Sequence, residues 1–117
     1  MKQWILIGAV ALTACSAAGG RLPEGAVEVS ENAVNNFVSP AGAKYDMRTY
    51  RAPSDDYFYI TVTPSGRSLT FQDEGRRAGA AASAYIQPRS CTGNLSRLTS
   101  RDVYDSASKT WTIVIAC

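Results

Sequence analysis

Two stretches of this chain alternate almost without error. In residues 57–63 (YFYITVT), Phe58, Ile60 and Val62 fall on one side and Tyr57, Tyr59 and Thr61 on the other. In residues 110–117 (TWTIVIAC), Trp111, Ile113, Ile115 and Cys117 share a side. A period of two sends successive side chains to opposite faces, so each run predicts a strand with an apolar face that another element must cover. A covering element is also visible. Phe71, Gly75, Ala78, Ala82 and Tyr85 recur at spacings of four, three, four and three, the stripe of a helix over about residues 70–86. Thr70 suits its N-cap, and Asp73 and Glu74 suit the positive end of the helix dipole. Small residues on the stripe let the helix approach a sheet closely. Gly75 and Gly79 each weaken helix propensity by up to about 1 kcal/mol, so packing has to support it. Pro88 is expected to stop it.

The remaining elements are shorter. Residues 44–51 (KYDMRTYR) put Tyr45 and Met47 on one side, and Pro53-Ser54-Asp55-Asp56 is a turn cluster across which this run and 57–63 can pair as a hairpin. Pro64-Ser65-Gly66 ends the second strand. Residues 101–105 are a short strand and 106–108 a turn before the final strand, 109–117. Residues 89–100 form a polar connection punctuated by Leu95 and Leu98. Residues 26–43 read both ways: Val27 and Val29 alternate, whereas Ala33, Val34, Phe37 and Val38 have helical spacing before Pro40 and Gly42. The 117 residues leave room for one domain, expected at 26–117. Its order of elements predicts an α+β fold, a small two-layer sandwich with an antiparallel sheet of about four strands and one main helix.

The N-terminus carries an address. Lys2 is a positive start, residues 4–12 are apolar, and the run is far shorter than the roughly 20 residues that span a bilayer, so residues 1–14 read as a signal peptide. It ends in Leu12-Thr13-Ala14-Cys15, which resembles the lipobox of bacterial lipoproteins. That resemblance covers the first 15 residues. It implies diacylglyceryl modification of the Cys15 thiol, cleavage just before it, and acylation of the new amine. Ser16, where an Asp favours inner-membrane retention, implies an outer-membrane destination on the periplasmic side. Residues 15–25, small and broken by Pro23, then read as the lipidated cysteine and a flexible tether. Two other readings of this N-terminus stand beside that one: an ordinary secretory signal cut nearby, such as after Ala17, or a cytoplasmic start resembling a signal by chance.

The chain has three cysteines, and an odd count in an exported protein leaves a thiol to explain. Lipidation uses Cys15, and Cys91 and Cys117 can then pair in an oxidising compartment. Strand parity puts Cys117 on the core face, where a covering helix would bring Cys91. Metal binding and a reactive thiol are the alternatives; with no His in the chain, two distant cysteines make a poor metal site.

Chemistry is sparse. Without His, the commonest general base and the Ser/His and Cys/His pairs are missing. Asp55-Asp56 fits a turn, Asp73-Glu74 a helix start, Ser65-Gly66-Arg67-Ser68 a strand-to-helix connection with a faint likeness to an anion-binding turn, and Arg76-Arg77 a solvated helix face. The formal charge of +2 gives no footprint for nucleic acid. No catalytic, cofactor or metal residues are expected. The expectation is a non-enzymatic envelope lipoprotein, anchored in the membrane by its lipid, that binds an envelope protein or a cell-wall component. The alternative is a small inhibitor or immunity-type lipoprotein, for which 89–100 would be the protruding loop. If the helix covers one sheet face, parity turns Tyr57, Tyr59, Tyr104 and Thr112 to the other. Those tyrosines are then an interaction face, partly exposed unless 26–43 folds over them; the alternative is that they stabilise the sheet.

Overall fold

The structure is a computed structural model that describes residues 22–65 and 74–117. Cys15 and the lipobox, Arg67, Thr70, Phe71 and Asp73 lie outside those residues. The strands are β1 (Val27–Glu28), β2 (Val34–Val38), β3 (Lys44–Arg51), β4 (Phe58–Pro64), β5 (Ser96–Arg97), β6 (Val103–Asp105) and β7 (Thr110–Ala116), with one helix, α1 (Gly75–Ser90), between β4 and β5. The fold is α+β, but the sheet has seven strands rather than about four. All pairs are antiparallel. β3, β4 and β7 form the centre; β1 and β2 lie along the outer edge of β3, and β5 and β6 along that of β7. Two-residue strands are too short to show a period, so pairing and not local pattern makes β1 and β5.

β3 and β4 form the expected hairpin, running from Tyr45 opposite Pro64 to Arg51 opposite Phe58. Its helix side carries Tyr45, Met47, Phe58, Ile60 and Val62, joined by Ile113 and Ile115 of β7 and by Ala78, Ala81, Ala82, Tyr85 and Ile86 of α1. The alanines bring helix and sheet together. Inside this layer Thr49 donates to the Tyr85 hydroxyl at 2.8 Å, which donates in turn to the Asn32 carbonyl. Asn32 also donates to Ser90 Oγ at 3.0 Å, so the segment before β2 is tied to both the sheet and the end of α1. Arg89 stacks on the Tyr85 ring at 4.6 Å.

Pro88 does not stop the helix; it sits inside the last turn, and α1 runs on to Ser90. Proline forfeits one N–H, a small loss so close to the end. The Arg89 guanidinium donates to the Tyr85 carbonyl at 2.6 Å, and Cys91 N–H closes on Ile86 at 3.2 Å. Residues 26–43 form β1, a 3₁₀ turn (Ser30–Asn32) and β2, not a helix. β2 is irregular: the register shifts between Val34 and Phe37, and Asn36 takes a φ of 59°. Asn tolerates that conformation, and Asp46 accepts the Asn36 N–H at 3.0 Å.

Cys91 and Cys117 are joined as a disulfide, with Cα atoms 5.6 Å apart. Residues 89–100, read as a connection and possible protruding loop, are tied down at several points, by the helix end, the bridge, Leu95 against the helix-side core, β5 and Leu98 against the far side, while residues 92–94 are exposed. On that far side Ala52, Tyr59 and Val114 form a smaller cluster with Leu22, Tyr50, Tyr57 and Leu98 around it. Leu22 is thus part of the packed domain. Just after it the chain makes a turn, with Ala26 N–H returning to Pro23 at 3.2 Å.

Candidate functional site

Residues directly opposite across a ladder share a face, and this places two polar-tipped residues in the helix layer. Arg97 lies opposite Ile115 and Tyr104 opposite Trp111. Two glycines on one side of α1 make room. A methyl at Gly79 would stand 2.0 Å from Arg97 Nη1 and 2.2 Å from its Cζ; one at Gly75 would stand 3.0 Å from the Trp111 ring. In the sequence these glycines read as a weakness of the helix. Here they are the seats for a guanidinium and an indole.

Arg97 is fixed from the other side by Asp102, whose Oδ2 is 2.7 Å from Nη2. Asp102 Oδ1 accepts the Val114 N–H at 3.0 Å, so one carboxylate both pins the arginine and satisfies the backbone of β7. The Asp102 side chain is 7% exposed and that of Arg97 24%. Arg97 Nε is buried with no hydrogen-bond partner among the described residues. Orphaned buried donors cost about 1–3 kcal/mol and are rare enough to need a reason.

These groups line an open cleft of about 380 Å³ bounded by Gly75, Arg76, Arg97, Thr99, Asp102 and Trp111. Arg97 is neutralised by Asp102, whereas exposed Arg76 faces no second acid among the described residues of the lining, which together carry one excess positive charge. The start of α1 adds the positive end of its dipole. Asp102 is occupied by two donors and is poorly placed as a base. The arrangement is suited to holding a small anion beside an aromatic surface.

The sequence singled out other residues, and the structure scatters them. Tyr59 is not partly exposed: it is 3% exposed, under Leu22, Leu98 and Tyr57 rather than under 26–43. Its hydroxyl donates to Asp55 Oδ2 at 2.6 Å and lies 3.3 Å from Arg101 Nη2. Asp55 also accepts the Tyr57 N–H at 3.1 Å, and Arg101 stands over the Tyr57 ring at 5.1 Å. Burial, then the bond to Asp55, pushes the Tyr59 phenol above its ordinary value. The same bond holds the Asp55 carboxyl below its own. Asp56 is exposed and takes no part. Tyr104 is not on the far face; opposite Trp111, it packs in the helix layer with ring centroids 5.3 Å apart. The three tyrosines therefore do not form one surface. Thr112 does face away from the helix, yet it is buried, with its hydroxyl unpartnered among the described residues.

Ser65 donates to Asp46 at 2.6 Å, and Glu74 lies near the Tyr45 phenol, which burial and then Glu74 push up. Arg77 is exposed outside the cleft; only Arg76 of that pair lines it. Sequence reasoning missed Arg97, Thr99 and Asp102. The available signal was the pair of glycines four apart on α1, which marks a close approach by something larger than an alanine. No family model matches the chain, and no curated protein or solved structure matches it either.

Proposed function

We propose that this chain is a lipid-anchored cell-envelope protein, held in the membrane through Cys15, that acts by non-catalytic binding of an envelope or cell-wall component. The observation that carries the reading is the pairing of Cys91 with Cys117. It uses both cysteines of the folded domain and leaves Cys15, at the end of Leu12-Thr13-Ala14-Cys15, as the remaining thiol. A structural disulfide also suits an exported protein. Lipid at Cys15 would leave six residues, 16–21, before packed Leu22. At the length of an extended chain they reach at most about 25 Å, so the domain works close to the membrane that holds it. Ser16 favours the outer membrane as that surface. Two or three acyl chains give stable anchoring where one alone does not.

The test is the Cys15→Ala variant, expected to lose fatty-acid labelling and to accumulate as precursor or soluble periplasmic protein. Wild-type protein that is soluble after export and carries no acyl mass would overturn the reading.

A further inference from the structure

We propose that the cleft between the start of α1 and β5–β7 is a binding site for a sugar acid, a single pyranose ring bearing one carboxylate. The envelope reading supplies the source of such a ligand, and in that respect this inference rests on it; the recognition chemistry stands on the cleft itself. The charge selects the ligand first. Among the described lining residues, Arg76 and Arg97 against Asp102 leave one positive charge, which matches a monoanion, while the Asp102 carboxylate beside them disfavours a dianion such as phosphate. Asp102 engages Arg97 through Nη2 and so holds its guanidinium in one plane in the wall of the cleft. A planar guanidinium suits a carboxylate better than a point charge does.

The walls select the rest. Trp111 offers a half-buried indole beside the arginines, a surface for the apolar C–H face of a sugar ring. Thr99 is exposed at the rim and can exchange hydrogen bonds with a ring hydroxyl. A volume of about 380 Å³ lies at the small end of ligand sites, enough for one ring and its substituent. The orphaned Arg97 Nε and the two cleared glycines show that the fold accepts a cost to keep this guanidinium where it is.

A built-in probe reads the site. Of the two tryptophans, Trp4 lies in the leader, so Trp111 is alone in the processed chain. The lipidated protein in detergent is titrated with N-acetylmuramic acid, glucuronic acid, N-acetylglucosamine and inorganic phosphate while Trp111 emission is followed. Both sugar acids should shift the emission saturably; the neutral sugar should not, and phosphate should bind at least about tenfold more weakly. The tighter of the two acids tells a cell-wall source from a uronic-acid polysaccharide. Gly79→Ala is the decisive variant. Its methyl displaces the Arg97 guanidinium and breaks its bond to Asp102, so the melting temperature should fall, and the protein that stays folded should bind at least about tenfold more weakly. Arg76→Gln should weaken binding similarly, and Arg77→Gln, outside the cleft, should leave it intact. An equal response to N-acetylglucosamine, or unchanged binding in folded Gly79→Ala and Arg76→Gln, overturns the proposal. The acyl mass of the same sample is measured separately, so a missing lipid would remove the anchor without deciding the cleft.

Discussion

The two faces of β3, β4 and β7 are made of different materials. Toward α1 the strands present Met47, Ile60, Val62, Ile113 and Ile115, all fully buried and packed against alanines. Away from it they present Tyr50, Tyr59, Thr61, Thr112 and Val114, over which polar links do much of the joining: Tyr59 to Asp55, Arg101 to Tyr59, and Thr63 to Thr110 at 3.0 Å. The helix face is held chiefly by dispersion and area, with the Tyr85 hydroxyl bonds inside it and the Arg97–Asp102 pair at its margin. The far face is held by fewer, directional contacts whose strength depends on protonation. Stability and pH response should therefore separate by face.

The largest effect belongs to the helix face. Reducing the Cys91–Cys117 bridge, which closes a separation of 26 residues, should cost roughly 3.5 kcal/mol in the chain-entropy model. At about 4–8 °C per kcal/mol the melting temperature should drop by at least about 14 °C, measured by circular dichroism with and without reductant. A pair of matched tyrosine variants comes next. Tyr85→Phe removes a hydroxyl that joins Thr49 to Asn32 inside the core, and should cost about 2 kcal/mol because both partners are left buried. Tyr59→Phe, whose partner Asp55 keeps the Tyr57 N–H, should cost about half as much by chemical denaturation. Equal costs would dissolve the distinction between the faces.

Much of the helix face was legible in the sequence, because Ile60, Val62, Ile113 and Ile115 sit on strict alternation and Ala78, Ala82 and Tyr85 on a helical stripe. The edges were not. Val27 and Glu28 become a strand only because Tyr50 and Arg51 are there to pair with, and Asn36 breaks the period of β2 by its bulge. Tyr104 lies on the helix side, against the parity expected from sequence, for a related reason: in a three-residue strand the partner, Trp111, decides the face. The cleft was illegible because Arg97 and Asp102 lie in a segment with no pattern of its own. They are brought together by β5, by the turn that follows it, and by the space over Gly79.

Two smaller effects sharpen the contrast on the far face. Thr112→Val replaces a buried hydroxyl without a partner among the described residues by a methyl of similar size. It should raise stability by about 1 kcal/mol, seen as a higher denaturation midpoint at unchanged slope. The smallest concerns Asp55, whose carboxyl is held below its ordinary value of 3.8, first by the Tyr59 hydroxyl. A depressed carboxyl adds stability above that ordinary value and loses it as the pH falls through the folded one. The gap in melting temperature between wild type and Asp55→Asn should thus be steady near neutrality and close as the pH drops below 3.8. The same gap for Ile60→Val should not move.

The broken edges of the sheet have a consequence of their own. Neither flank offers a long, straight row of unpaired backbone groups: one is divided between β1 and bulged β2, the other between β5 and β6. Val27 and Val38, 67% and 56% exposed, sit on the first of these flanks, where an unbroken strand would recruit a second copy edge to edge. Dividing and kinking the strand keeps these residues from lining up along one straight edge, which disfavours growth of a sheet shared between copies.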